Sequence, residues 1–571
     1  MSRHILDREA LAAKAMRRPD APIMARRDWW RGAAIYEVYV RSFLDSNGDG
    51  VGDLSGVTAR LDYISGLGVD AIWLSPIYPS PQVDFGYDII DMRGVDPSCG
   101  TLEDFLELLE GAHARGLKLL LDFVPAHTSD RHPWFLESRQ GRENPRADWY
   151  VWADAAPDGC APNNWLSSFG GTAWAWEPRR AQYYYHPFLT CQPALNLRNP
   201  DVCAAIAAEM RFWLDLGVDG FRLDAVQTFG CDTDLRSNPP AGSNIGDIRI
   251  GGGPNNPFAR QQHLFDRDVP EALEFVQHLR SVVEGYDPPR FLLGELADMD
   301  SARLSEKYTA GSRLLHAVYD FDFVNADPDP EGLAELLRRR SAYLPSGWAM
   351  NVFTNHDTLR AVSNLTGFAV EAGHRAEAAK LLIFMQFTLR GGGVLYQGEE
   401  LGLPQPALSF EQLRDPWGLA LWPDFQGRDG ARTPMPWRAD APQAGFTEAE
   451  PWMDVAPEHL PLAVDRQEAD ADSVLAFTRA FLRWRRDQPV LKWGGEAIHP
   501  PDLAPVLAYD RIGTDERLTV LINLSLDARF VPLPPGPEPV AVPGGVQARS
   551  DRGIALPRLG FAILRAGQPD G

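Results

Sequence analysis

Four stretches of this 571-residue chain end in side chains capable of acid, base or nucleophilic chemistry, and each follows a run of strand-forming residues. KLLLDFV from Lys118 runs into Asp122 and His127, and DGFRLDA from Asp219 into Arg222 and Asp224. RFLLGE from Arg290 ends on Glu295, and AMNVFTN from Ala349 leads to His356 and Asp357. An aspartate after one strand is usually a turn or cap residue, so no single stretch is informative. Taken together they place Asp224, Glu295 and Asp357 at the ends of three different strands. If those strands lie parallel in a closed barrel, their C-terminal ends converge and Asp224, Glu295 and Asp357 face one pocket.

A second set lies in DSNGDGVGD, where Asp45, Asn47, Asp49 and Asp53 surround a tight glycine turn and offer hard oxygen donors suited to Ca2+. Gly56 stands where an EF-hand carries its twelfth-position glutamate, so the loop predicts a structural ion and not an EF-hand.

The elements that must position these groups are legible in the periodicity. Eight strand-like runs alternate with amphipathic helical stretches: those already named, with AIYEVYV from Ala34, DAIWLS from Asp70, AVYDF from Ala317 and GVLYQGE from Gly393. Eight βα units predict an α/β fold, a (β/α)8 TIM barrel. Thr101 with Asp104 three residues on reads as a capping box, Phe105, Leu106, Leu109 and Ala112 as one apolar stripe, and Gly116 as the stop. Val57, Leu61 and Ile64 make a similar stripe ended by Gly68.

Two regions break the rhythm. Residues 128–195, rich in Trp, Tyr, Pro and Asn, read as a subdomain inserted after the third strand. From about 495, VLAYDRI, RLTVLINLS, ARFVPL and GIALPRLGFAIL alternate with Pro/Gly turns, predicting a C-terminal all-β sandwich over 495–571. The barrel is then 29–127 with 196–494, and residues 1–28 form an N-terminal arm.

Composition narrows the partners. Hydrophobic residues at 44% and charged residues at 23% are ordinary for a globular chain. The net charge of −23 repels phosphate backbones and anionic headgroups, which argues against nucleic acid or a membrane surface and favours a neutral ligand. Five scattered cysteines without a C-x-x-C pair, a charged N-terminus with no apolar signal core, and no apolar run near ~18 residues predict a cytoplasmic location.

DFVPAH at 122–127, GFRLDA at 220–225, GE at 294–295 and NHD at 355–357 resemble, in order and spacing, the four signature segments of glycoside hydrolase family 13, the α-amylase superfamily. SPIYPSP, DFGYD, NPFARQQHLFDRDVPEALEF and GRDGARTPMPW resemble its α-glucosidase and oligo-1,6-glucosidase branch. The resemblance implies exo attack on short neutral α-glucosides by double displacement, with Asp224 as nucleophile, Glu295 as acid/base and Asp357 as transition-state stabiliser. Arg222, two residues before Asp224 on the same side of its strand, is expected to keep that carboxylate ionised, while burial near Asp224 keeps Glu295 protonated. The same resemblance assigns His127 and His356 to sugar hydroxyls, Asp84 and Tyr87 to the nonreducing glucose, and Phe169 and Phe188 to aromatic walls. Arg428 closes the pocket, with Arg432 as the alternative. Arg360 is expected to orient Asp357, and the Val51 carbonyl to join the Ca2+ ligands. A covalent intermediate also implies transglucosylation at high sugar.

The chain departs from the branch at two positions. Ala194 in QPALN replaces a usual aspartate, and Ala225 follows the nucleophile where relatives carry valine or threonine, so neither segment fixes the linkage. TLRAVSN after NHD is not the arginine-rich segment of sucrose isomerases, which leaves sucrose hydrolysis and oligo-1,6-glucosidase action as alternatives. Noncatalytic heavy-chain subunits of amino-acid transporters resemble the same barrel but carry a spanning helix, and all three carboxylates are kept here.

Overall fold

Strict alternation along the barrel strands decides which side chains reach the site. The computed structural model describes residues 28–242, 256–297, 301–311, 313–326, 329–343 and 347–565, so residues 1–27 of the expected N-terminal arm lie outside the described residues. The eight barrel strands are β1 (Ala34–Val38), β2 (Ala71–Leu74), β3 (Lys118–Phe123), β4 (Gly220–Leu223), β5 (Phe291–Leu296), β6 (Ala317–Asp320), β7 (Ala349–Val352) and β8 (Gly392–Tyr396). All pair in parallel and in sequence order, and β8 closes on β1 through Ala34 opposite Gly393. The eight runs read from sequence are these eight strands.

Side chains of one strand point alternately out and in. Tyr36, Val38, Ile72, Leu74, Leu119, Leu121, Phe221 and Leu223 face outward into the core shared with the helices. Ile35, Trp73, Leu120, Phe291, Leu293, Tyr319 and Val394 fill the barrel interior. The same period turns Glu37, Asp122, Arg222 and Glu295 inward near the C-terminal ends. Register puts them side by side: Asp122 lies opposite Arg222, and Glu295 opposite Tyr319.

The helix Leu102–Ala114 starts on Thr101 with a full capping box to Asp104, as the sequence predicts. Its buried stripe is Phe105, Leu108, Leu109 and Ala112, with Leu108 in place of the expected Leu106. The stripe ending at Gly68 spans two short helices, Leu54–Ala59 and Leu61–Leu67, because Arg60 leaves helical geometry between them; Gly68 then stops the second with a left-handed φ of 91°.

The segment after β3 carries a three-stranded antiparallel sheet of Trp152–Ala153, Gln182–Tyr185 and Trp174–Glu177. The C-terminal region has a five-stranded antiparallel sheet and a two-stranded ribbon, with Val506, Ala508, Leu521, Val531, Ile554 and Leu564 packed together. GIALPRLGFAIL is two strands and not one, Gly553–Leu556 and Phe561–Arg565, since Pro557 and the turn to Gly560 divide it. The other face of the larger sheet rests on the barrel helices, where Phe561 stacks on Phe384 at 3.9 Å. No helix among the described residues is long and apolar enough to cross a membrane.

Candidate active site

A cavity of about 930 Å3 opens at the C-terminal ends of the barrel strands, and Asp224, Glu295 and Asp357 all line it. Asp84, Tyr87, His127, Phe169, Phe188 and Arg428 line it too. Arg222 and His356 do not. Both are fully buried behind the wall and act on the residues in front of them.

Arg222 is the hub. Its Nη1 donates to Asp224 Oδ1 and Asp122 Oδ1, each at 2.8 Å, and its Nη2 donates to Glu295 Oε2 at 2.5 Å and to the Tyr319 hydroxyl at 2.7 Å. One guanidinium thus fixes the positions of three carboxylates from consecutive strands, with a fork geometry that lysine lacks. The backbone N–H of Ala225 also donates to Glu295 Oε2, at 3.2 Å. Ala225 reaches that place with a left-handed φ of 40°, a conformation costly for a residue with a Cβ and often found at functional sites.

The electrostatics separate the three acids. Burial raises Glu295 to about 8; Arg222 opposes the rise, and Asp224 and Asp357 add to it. Burial likewise raises Asp224 to about 7, helped by Asp122 and Asp357. Here the sequence reading needs correction: Arg222 does lower this carboxyl, but desolvation outweighs it, and Asp224 is not held far into the ionised range. Asp357 goes the other way. Burial opposes its ionisation, yet His356, Arg428 and Arg432 together hold it well below the usual carboxylate range. His356 is itself driven down to about 3 by burial and is neutral near pH 7, so under those conditions the two arginines supply the attraction.

Arg432 Nη2 donates to Asp357 Oδ1 at 2.6 Å, and Arg428 Nη1 reaches the same oxygen at 3.3 Å. Arg360, expected to orient Asp357, does not do so. It donates to the carbonyls of Gln397 and Ala431 and packs against the Tyr396 ring, because its helix begins beyond the turn that turns Asp357 toward the cavity. Arg432 takes that part, and of these two arginines Arg428 is the one that lines the cavity.

Arg428 closes the far end. Its Nη2 donates to Asp84 Oδ1 at 2.8 Å and to Asp415 Oδ1 at 2.7 Å, and its Nε donates to Asp415 Oδ2 at 3.0 Å. Gln192 holds the other Asp84 oxygen at 2.9 Å. Phe169 stacks on Trp417 at 4.8 Å beneath this clamp, and Phe188 lies 5.3 Å from the His127 ring. His127 Nε2 donates to the Tyr87 carbonyl 3.1 Å away, and burial lowers His127 to about 4. Asp415, Trp417, Glu37 and Tyr319 were missed in the sequence. Period 2 along β1 and β6 could have found Glu37 and Tyr319; nothing in local spacing marks Asp415.

Asp45, Asn47, Asp49, Val51 and Asp53 share one loop after β1. Asp45 Oδ1 accepts from the N–H groups of Asn47 and Gly48, and its Oδ2 from Gly50 and the Thr447 hydroxyl. Asp53 accepts from Ser46 and caps the helix at Gly56. Asn47 and Asp49 are exposed and turn onto Asp49 N and Val51 N. Among the described residues no group of three or more His, Cys, Asp or Glu side chains is gathered to hold a metal.

Comparison with known proteins adds the family context. The family model described as the alpha amylase catalytic domain matches residues 37–494. A probable alpha-glucosidase of Rhizobium meliloti (strain 1021) is 46% identical over 545 residues, 94% of this chain and 97% of that protein. An oligo-1,6-glucosidase of Heyndrickxia coagulans is 35% identical over 534 residues, 87% of this chain and 92% of its own. Among solved structures, an alpha-glucosyl transfer enzyme, XgtA, matches with a TM-score of 0.90 at 47% identity, across 94% of this chain and 99% of that one.

Proposed function

The chain belongs to the alpha-amylase catalytic-domain family, and from that premise we propose that it is an exo-acting retaining α-glucosidase of short neutral α-glucosides. The observation that carries this reading is the pairing of two ends of one cavity: Arg222 binds Asp224 and Glu295 together, and Arg428 with Asp84 and Asp415 shuts the space beyond them. A closed end admits one terminal glucosyl unit and excludes the interior of a longer chain.

Asp224 attacks the anomeric carbon while Glu295 gives its proton to the departing oxygen, leaving glucosyl covalently on Asp224. Glu295, now ionised, takes a proton from water, and the oxygen of that water displaces Asp224. Asp357, ionised between Arg428 and Arg432, stabilises the oxocarbenium-like charge that develops in both steps. A second sugar hydroxyl in place of water gives transglucosylation, and the likeness to an alpha-glucosyl transfer enzyme supports that branch. The oligo-1,6-glucosidase relative supports α-1,6 bonds as an alternative scissile linkage. The loop of Asp45, Asn47, Asp49, Val51 and Asp53 carries hard oxygen donors of the kind Ca2+ prefers, and we propose for it a structural ion with no step in the chemistry, onto which the carboxylates that now accept from loop N–H groups would have to turn.

The test is hydrolysis of maltose, isomaltose, kojibiose, nigerose, trehalose and sucrose, with kcat/KM followed against pH on the best of them. Below about 7 Asp224 takes up a proton and stops attacking; above about 8 Glu295 loses the proton it must donate. The expected profile is a narrow bell bounded by those two values as properties of the pair. Absence of turnover on every glucoside, or a flat profile through this range, contradicts the reading.

A further inference from the structure

Behind the catalytic wall, a line of hydrogen bonds runs from Glu37 to Arg222 and can be filled with protons in few ways. Glu37 Oε1 lies 2.6 Å from His356 Nδ1, and His356 Nε2 lies 2.6 Å from the Tyr87 hydroxyl. That hydroxyl lies 3.0 Å from Asp122 Oδ2, and Asp122 accepts from Arg222 Nη1 at 2.8 Å. Glu37, His356 and Arg222 have no exposed surface.

The count starts at Asp122. Held by Arg222, it is an acceptor, so the one hydroxyl proton of Tyr87 goes to it. The Tyr87 oxygen must then accept from His356 Nε2, which therefore carries a proton. A neutral imidazole protonated at Nε2 is bare at Nδ1, and its contact with Glu37 at 2.6 Å needs a proton from the carboxyl. We propose that Glu37 is kept as a neutral carboxylic acid that donates to His356 Nδ1, fixing the Nε2–H tautomer that holds Tyr87 against the cavity.

Two other fillings keep Asp122 ionised, and the surroundings disfavour both. Ionised Glu37 with Nδ1–H would turn the Tyr87 proton toward His356 and leave its oxygen facing the Asp122 carboxylate at 3.0 Å with no proton between them. Ionised Glu37 with doubly protonated His356 would bury a charged pair: Asp357 Oδ1 stands 3.5 Å from His356 Nε2, but no arginine or lysine pairs with the Glu37 carboxyl among the described residues, and Glu37 Oε2 has no hydrogen-bond partner there to solvate it. The charged and titratable groups facing Glu37 are Arg222, Asp357 and Asp122, with His356, Tyr319 and Tyr396. Burial is the leading influence and raises the Glu37 carboxyl well above its ordinary value, while it lowers His356. Glu37 is thus a positioning residue, acting through His356 and Tyr87.

The experiment has a spectroscopic and a kinetic arm. In protein labelled with 15N at the histidine ring nitrogens, the His356 signals are assigned by their loss in His356→Gln. The expected pattern is a protonated Nε2 and a bare Nδ1, retained in Glu37→Gln because an amide N–H replaces the acid as donor. Two protonated nitrogens, or a bare Nε2, overturns the proposal. In the kinetic arm, Glu37→Leu leaves Nδ1 without a donor and is expected to lower kcat/KM roughly tenfold, the scale of one unsatisfied buried acceptor. Glu37→Gln should restore most of that loss. If Gln is as impaired as Leu, the carboxyl acts by its charge and the proposal fails. Should Glu37→Leu not fold, wild type and Glu37→Gln decide by the spectrum. The kinetic arm rests on the glucosidase reading and the spectrum does not, so a failure of that reading alone would leave the tautomer intact and no glucoside turned over.

Discussion

The closed end of the cavity and its mouth are built in opposite ways. At the closed end the charged side chains and Tyr87 are cross-bonded: Asp84 to Gln192 and Arg428, Arg428 to Asp415 and Asp357, Asp357 to Arg432, and Tyr87 to His356 and Asp122. Toward the mouth the lining includes Leu264, 58% exposed, half-buried Phe258 and Leu304 and the exposed Arg303, with polar Gln261 and Gln262 among them. Buried networks hold groups to a fixed geometry, whereas exposed apolar surface offers contact without direction. A site made this way is strict about the glucosyl unit and permissive about what is attached to it.

The comparison can be broken most severely at the nucleophile. Asp224→Asn keeps the shape and the Arg222 contact but cannot attack, so turnover should vanish with the fold intact; near-normal rates in folded protein would refute the assignment. Glu295→Gln is expected to cost about 10²- to 10⁴-fold on glucosides with poor leaving groups and far less on activated aryl glucosides, read as the ratio of kcat/KM on the two. Equal losses would point to another acid.

Asp415→Asn tests the closed end. Arg428 would lose its paired carboxylate and with it the geometry that presents Asp84 and Asp357. We expect roughly a 10- to 100-fold loss in kcat/KM, or about 1.4–2.8 kcal/mol, similar for every glucoside because all share the same glucosyl unit. A loss that depends strongly on the leaving group would place Asp415 elsewhere in the mechanism.

Leu264→Ala tests the mouth. Removing part of an apolar wall is worth about 1–3 kcal/mol when the wall is enclosed, and Leu264 is more than half exposed, so a change of a few-fold is expected. It should appear as an altered ranking of leaving groups and acceptors, with hydrolysis of the smallest glucosides unchanged.

Chelation should have the smallest effect on rate. Chelation from a defined free Ca2+ concentration should lower the melting temperature with kcat unchanged, the stability lost being set by mass action at about 2.7 kcal/mol for an ion that was present at a hundred times its Kd. Lost activity without lost stability would give the loop another role, and no change in either would mean that its own N–H bonds suffice.

How much of this was legible in the sequence follows the same division. The strands were readable because parallel barrel strands are buried runs of β-branched and aliphatic residues, and the inward placement of Asp122, Arg222 and Glu295 follows from period 2. Short-range motifs also delivered the capping box at Thr101. What sequence could not give were contacts made across the chain with no fixed spacing: Asp415 to Arg428, Glu37 to His356, and the choice of Arg432 over Arg360 for Asp357. Nor could it weigh opposing effects on one group. Arg222 beside Asp224 was foreseen, but the desolvation that outweighs it depends on how completely the barrel closes over both.

The central claim is that the glucosyl group passes through a covalent bond to Asp224. It is tested most directly by NMR of the glucose released from an aryl α-glucoside, recorded before mutarotation equalises the anomers. Two inversions at one carbon cancel, so α-glucose should appear first and β-glucose only as it equilibrates. β-Glucose appearing first would mean a single displacement and would contradict the assignment of Asp224 as nucleophile.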